Sequence, residues 1–203
     1  MLKLILPIII GYLIGSIPFG LLIGKLRGVD IRKIGSGNIG ATNIYRTLGA
    51  WPALSVLILD LLKGTAAVYM ALVLLPSSTA ILSKEFYIVI SGIAAVVGHM
   101  FPIYIGFKGG RGSATALGVL LGVAPDLFAI AIIYVILGIA VTRYVSVTSI
   151  TGVILLAALM FVFKKPIEYS IATVIVAILV IYRHIPNIKR LMVGTEPRIW
   201  GGK

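Results

Sequence analysis

Seven apolar runs alternate with polar stretches along the chain, at roughly 4–24, 51–75, 86–105, 113–125, 127–142, 147–163 and 167–182. They are too long and too continuous for the alternating strands of a barrel, so they predict helices. A membrane-spanning helix takes about 20 apolar residues. The pattern therefore predicts an all-α, polytopic membrane protein with seven transmembrane helices. The fourth run is short for a full crossing and reads as tilted, kinked or partly re-entrant, with Pro125-Asp126 dividing it from the fifth. At this density of spans the 203 residues leave no room for a separate soluble domain, and residues 1–203 read as one membrane domain.

Composition sharpens the picture. The chain is 60% hydrophobic and 12% charged, with mean hydropathy +1.13. A soluble domain is about 45–50% apolar and about 25% charged. Soluble globular, disordered and collagen-like chains are excluded. There is no cysteine, which removes disulfides, thiolate catalysis and cysteine metal sites, and two histidines make no multi-histidine metal centre. No metal or cofactor is expected. Lys3 and the apolar run after it resemble a signal peptide, but no small-x-small cleavage pattern follows, so the first run is read as a span.

The formal net charge is +12. In a soluble chain that would point to nucleic acid; here basic loops orient the protein, and no nucleic acid is expected. With seven spans and the C-terminus inside, the inner side carries Lys25, Arg27, Arg32, Lys33, Arg46, Lys108, Arg111, Arg143, Arg183, Lys189, Arg190, Arg198 and Lys203. The outer side carries only Lys3, Lys84, Lys164 and Lys165. The asymmetry predicts an outer N-terminus, a cytoplasmic C-terminus, and every unusual polar stretch on the cytoplasmic face.

Three of those stretches can carry chemistry. In Gly35-Ser36-Gly37-Asn38-Ile39-Gly40-Ala41-Thr42-Asn43, glycines let backbone N–H groups approach an anion, and Ser36, Asn38, Thr42 and Asn43 add neutral donors. Arg46 follows with a planar fork suited to phosphate. The spacing is neither a P-loop nor a dinucleotide fingerprint. In Gly106-Phe107-Lys108-Gly109-Gly110-Arg111-Gly112, four glycines and two cations precede a predicted helix, whose N-terminus favours anions. The third, Tyr182-Arg183-His184-Ile185-Pro186-Asn187, leads into a basic tail. It reads as a juxtamembrane segment for anionic lipid, or as a site where His184 moves a proton and Asn187 orients an oxygen.

Other polar residues lie in or near the spans. Asp60 and Lys63 share one helix face and can pair, and ionisable groups at membrane depth default to function. Lys63 joins the candidate substrate-binding residues on that ground. His99 reads as packing or an interhelical hydrogen bond. Ser146, Thr148 and Ser149 open the sixth run and read as caps or site residues; Ser16 and Pro18 predict a kink in the first. The inner loops hold just two acids, Asp30 and Glu196. General-base capacity is thin, which suits a substrate that arrives already activated.

Taken in order, these motifs resemble the bacterial acyl-phosphate:glycerol-3-phosphate acyltransferase family of PlsY type, over essentially the whole chain. The match runs through Gly15-Ser16-Ile17-Pro18-Phe19-Gly20, Gly35 to Asn43 with Arg46, Asp60 and Lys63-Gly64, and Gly98-His99-Met100-Phe101-Pro102 to Gly112. It continues through Arg143-Tyr144-Val145-Ser146 with Ser149, then His184 and Asn187. The resemblance implies a multi-pass enzyme of the cytoplasmic membrane, working as a monomer with its site facing the cytoplasm. It would move a fatty acyl group from acyl phosphate to the 1-hydroxyl of sn-glycerol 3-phosphate, giving lysophosphatidic acid and phosphate, the first step of phospholipid synthesis. Transfer would be direct, with no covalent acyl-enzyme. It implies Ser36, Arg46, His184 and Asn187 as catalytic. Substrate would be bound by Gly37, Asn38, Thr42, Asn43, Lys63, Lys108, Gly109, Gly110, Arg111, Gly112 and Ser149.

The sequence departs from the family pattern at Arg111, where lysine is usual, and at Ile185-Pro186, where Arg-Glu is usual. The hydroxyl proton goes to His184 or to the leaving phosphate; both stay open. The rival function is a small transporter of an anionic phosphorylated metabolite, which would need a second gate and a polar path across the membrane. A non-catalytic lipid-binding protein is a third, disfavoured by the density of phosphate-type donors.

Overall fold

The computed structural model describes residues 2–75 and 82–200; Lys203, counted above among the inner cations, lies outside them. The described residues form ten α-helices and no strand. They are α1 (Leu2–Gly15), α2 (Phe19–Leu26), α3 (Ala41–Leu48), α4 (Ala50–Leu74), α5 (Lys84–Met100), α6 (Ser113–Val123), α7 (Pro125–Thr142), α8 (Val145–Val162), α9 (Ile167–Arg183) and α10 (Ile185–Met192).

All seven apolar runs are helical, but they are not seven equal crossings. Five stretches are long and apolar enough: Ile5–Leu26, Ala50–Leu74, Lys84–Ile105, Pro125–Thr142 and Val145–Val162. A sixth arises if α9 and α10, bent by 55° at His184, count as one. With 11 residues, α6 rises about 16 Å against a hydrocarbon core of about 30 Å. The first run breaks between α1 and α2, as Ser16 and Pro18 predict. Ser16 turns both its N–H and its hydroxyl back to the Tyr12 carbonyl, at 2.9 and 2.8 Å.

The polar stretch from Lys25 to Gly49, between the first and second apolar runs, contains a helix. α3 is amphipathic: Ile44 is fully buried among Leu21, Ile31, Ile39, Ala53 and Val56, which anchors the polar segment to α2 and α4. Its polar residues equal its apolar ones in number and are interleaved with them, so an apolar-run search passes over it.

The chain divides into two compact units, Met1–Val123 and Ala124–Lys203. In the first, α4 packs against α1, α3, α5 and α6. Small residues permit the approach. A Cβ on Gly118 would lie 1.8 Å from the Leu61 carbonyl oxygen, and one on Gly15 2.1 Å from that of Ala95. In the second unit α8 packs against both α7 and α9. Helix α4 shows the membrane logic. Leu54, Ile58 and Leu62 form an exposed apolar stripe, while the opposite face buries Val56, Asp60, Lys63 and Ala67.

Candidate active site

The first glycine-rich stretch is built around one amide. The Asn43 side chain is buried in the first turn of α3. Its Nδ2 donates to the carbonyls of Ile31, Ile34 and Asn38 at 3.2, 3.0 and 2.9 Å, and its Oδ1 accepts the Ser36 N–H at 3.0 Å. With two hydrogens for three carbonyls the donation is shared. Asn38 Oδ1 accepts the Gly40 N–H at 2.8 Å, a turn that leads the chain into α3. Gly37 has φ +68°, where a side chain would be strained. Ser36 and Arg46 are exposed, and Gly37 and Thr42 are half-buried. Arg32 is held elsewhere: its Nε and Nη2 grip the two oxygens of Asp30 at 2.9 and 2.8 Å. That side-chain hydrogen bond holds the Asp30 carboxyl well below the usual carboxylate range.

The second stretch follows α5. After one 3-10 turn, Ile103–Ile105, the backbone passes through left-handed Gly106 and Phe107 and enters α6 through Gly112, φ +86°. The Gly109 N–H donates to the Met100 carbonyl at 3.2 Å and the Gly110 N–H to the His99 carbonyl at 3.0 Å. Tyr12 donates its hydroxyl to the Phe101 carbonyl at 2.8 Å. Lys108 is exposed and Arg111 half-buried. Asp60 and Lys63 do pair, at 2.8 Å, and both are buried with His99.

The second unit holds the remaining residues. His184 is buried at the bend between α9 and α10. Its Nδ1 lies 2.8 Å from the Val180 carbonyl. Only an Nδ1–H can make that bond, so in the neutral ring the lone pair is on Nε2. Asn187, one turn on, donates from Nδ2 to Glu196 Oε1 at 2.6 Å. The same oxygen accepts the Ser146 hydroxyl at 2.8 Å, and Oε2 accepts Arg190 Nε at 2.8 Å. Burial alone would raise the Glu196 carboxyl, but these donors from Asn187, Ser146 and Arg190 hold it below its ordinary value. Asn187 Oδ1 is buried with no hydrogen-bond partner among the described residues. Ser149 is half-buried on α8, three residues beyond Ser146 and on the same face.

Glu196 is not among the sequence-derived site residues, and Ser146 is read from the sequence as a cap or a site residue. The cap reading of Ser146 does not hold, since the N-cap of α8 is Tyr144, with no side-chain cap bond; its hydroxyl is bonded to Glu196 instead. The available signal for Glu196 was its rarity, as one of two acids in the inner loops of a strongly basic chain. The tail bearing it is strapped down: the Ile199 N–H donates to the Arg143 carbonyl at 2.9 Å, and the Arg198 guanidinium lies over the Tyr144 ring. Among the described residues, no group of three or more His, Cys, Asp or Glu is placed to hold a metal.

The family model described as glycerol-3-phosphate acyltransferase matches residues 5–194. The chain belongs to the glycerol-3-phosphate acyltransferase family. Relatives bearing that name include one from Aquifex aeolicus, 42% identical over 201 residues, covering 97% of this chain and 100% of its own. One from Halalkalibacterium halodurans is 45% identical over 199 residues, covering 96% and 94%. Among solved structures, PlsY, an integral membrane glycerol 3-phosphate acyltransferase, superposes in its glycerol 3-phosphate form with TM-score 0.89 at 41% identity, covering 98% of this chain and 96% of that one. Its lysophosphatidic acid form superposes with TM-score 0.86 at 40% identity, covering 96% and 94%. The acyltransferase match runs through both compact units of this chain.

Proposed function

We propose that this protein is a multi-pass enzyme of the cytoplasmic membrane that acylates the 1-hydroxyl of sn-glycerol 3-phosphate, using acyl phosphate as donor. The observation that carries this reading is the near-complete coverage of a structure solved with glycerol 3-phosphate, at 41% identity. In this reading the chain crosses the membrane seven times, with the N-terminus outside and the site facing the cytoplasm, and it works as a monomer.

Both substrates carry phosphate, which accounts for two glycine-rich segments bearing exposed cations. Arg46 and Lys108 hold phosphate oxygens, with Arg111 in support. Ser36, Gly37, Asn38 and Thr42 line the first segment, whose shape Asn43 maintains; Gly109 and Gly110, whose own N–H groups are bonded to the Met100 and His99 carbonyls, line the second, and Gly112 supplies a backbone donor there. Asn187 Oδ1 accepts a substrate hydroxyl, with Ser149 on the adjoining helix face. The glycerol oxygen attacks the acyl carbonyl carbon, a new ester C–O bond forms, and the C–O bond to phosphate breaks. The hydroxyl proton passes to His184 Nε2 or to the departing phosphate. Acyl phosphate is a mixed anhydride with a good leaving group, so the enzyme needs positioning and charge stabilisation rather than its own nucleophile. The products are lysophosphatidic acid and inorganic phosphate, the opening of phospholipid synthesis.

The test is phosphate release by detergent-purified protein given palmitoyl phosphate and glycerol 3-phosphate. Release is expected only with both substrates, to be absent with acyl-CoA, and to fall sharply in Arg46→Ala. No release from a folded preparation overturns the reading and makes transport of an anionic metabolite the next experiment. Labelled acyl group trapped on Ser36 would refute direct transfer.

A further inference from the structure

Three buried polar residues of the first unit have no direct part in the chemistry above. Asp60 and Lys63 lie on α4, and His99 near the end of α5; they are 2%, 3% and 4% exposed. Lys63 Nζ donates to the Ile17 carbonyl at 3.0 Å and lies 2.8 Å from His99 Nδ1. It also lies 2.8 Å from Asp60 Oδ1, an ion pair without hydrogen-bond alignment. An ammonium has three hydrogens and no lone pair. Two of its hydrogens go to the Ile17 carbonyl and to His99 Nδ1, each of which must offer a lone pair, and Asp60 supplies the balancing charge.

That arrangement dictates the state of His99. A ring protonated at Nδ1 would set two donors face to face at 2.8 Å, and its 3.5 Å separation from Asp60 Oδ1 is too long to compensate. Nδ1 therefore carries the lone pair and Nε2 the hydrogen. Nε2 is the edge turned to the second glycine-rich segment. A Cβ on Gly110 would lie 2.0 Å from His99 Nε2, and one on Gly109 2.1 Å from the His99 carbonyl oxygen. The Gly110 N–H is bonded to that same carbonyl. The loop backbone rests directly on this one residue.

We propose that Asp60, Lys63 and His99 form a positioning relay, in which the buried ion pair fixes the His99 ring and the ring seats Gly109–Gly112 to receive the phosphate of glycerol 3-phosphate. This rests on the reading of that loop as a phosphate cradle. Lys63 then serves the substrate through His99 and the loop, without touching it.

The experiment uses the full-length enzyme in detergent, with both substrates varied independently. In wild type, the ¹⁵N spectrum of labelled histidine should show His99 as the Nε2–H tautomer. The double variant Asp60→Asn/Lys63→Met removes both charges at similar shape. It should alter the His99 signature and raise KM for glycerol 3-phosphate about tenfold or more, leaving KM for acyl phosphate and kcat within about twofold. His99→Gln, which retains an N–H donor, should raise that KM less than His99→Ala; this pair carries the test if the double variant does not fold. An Nδ1–H tautomer in wild type overturns the relay. So does a folded double variant with unchanged KM for glycerol 3-phosphate, or one in which both KM values and kcat worsen together. Wild-type protein without glycerol 3-phosphate-dependent transfer overturns the functional reading itself and the relay's substrate end with it.

Discussion

Asn187 Nδ2 and Glu196 Oε1 stand 2.6 Å apart, nine residues from each other in sequence, and the bond sets which end of the Asn187 amide faces outward from the pair. Because Nδ2 is committed to the carboxylate, Oδ1 is the atom left to meet a ligand. Glu196 thus decides whether Asn187 presents an acceptor or a donor. Glu196→Ala is expected to lower kcat/KM about 10²-fold, as amide orientation is lost. It should also destabilise the protein by about 1–3 kcal/mol by stranding buried Asn187 and Ser146 donors. Glu196→Gln, isosteric but uncharged, should fall between Ala and wild type. Steady-state kinetics and thermal unfolding of the two variants check this.

The same carboxylate gives the protein a pH-sensitive tie. Its folded-state pKa lies below its ordinary value of 4.5, despite burial, because Asn187, Ser146 and Arg190 donate to it. A depressed folded pKa adds stability above the ordinary value, and that stability is lost as pH falls through the folded one. Asp30, bound to Arg32, titrates with the same sign. Thermal unfolding should be nearly flat from pH 7 to about 5 and decline below that. Glu196→Gln should flatten the decline; an equally steep decline in the variant would remove Glu196 as a source.

His184 offers a separation of fold from chemistry. Its Nδ1–H bond to Val180 O can be reproduced by an asparagine amide, whereas the basic Nε2 cannot. His184→Asn should therefore keep the α9–α10 bend and the melting temperature. If Nε2 takes the hydroxyl proton, kcat falls about 10²-fold or more with KM little changed. A kcat within about threefold of wild type would give that role to the leaving phosphate.

Packing of α6 on α4 depends on the missing side chain at Gly118, where a Cβ would meet the Leu61 carbonyl oxygen. Gly118→Leu cannot be accommodated without separating the helices. Loss of the folded, detergent-stable fraction in size-exclusion chromatography is expected, with Gly118→Ala milder but still lowered in melting temperature. An outward-facing change on the same unit, Ile58→Leu, should leave both unaltered, since Ile58 is exposed on the lipid-facing side of α4.

The helices were legible in the sequence because hydrocarbon demands long apolar runs and internally satisfied backbones. The break at Ser16 and Pro18, the Asp60–Lys63 pair and the start of α6 after Gly112 were legible for equally local reasons. α3 was hidden because its helical periodicity is carried by one buried face, and α10 because its polar residues read as a basic tail. Glu196 was hidden for a different reason. Its partners Ser146, Asn187 and Arg190 lie 50, 9 and 6 residues away, and no local spacing announces such a convergence. Asn43 was legible as a polar residue of the first segment, but not as the organiser of its turns, since that depends on three carbonyls brought to it by folding.

The contacts of Lys63 also bear on how the chain enters the bilayer. A lone charge at the middle of an inserting helix costs about 2.5–3.5 kcal/mol. Asp60, one turn away on the same helix, lets α4 leave the translocon as a neutral dipole. The Ile17 carbonyl is synthesised earlier and is already waiting at the break in the first span. His99 emerges later, on α5, and completes the set. The order of synthesis is thus the order in which the lysine meets its polar neighbours, and the charge need not cross the lipid alone.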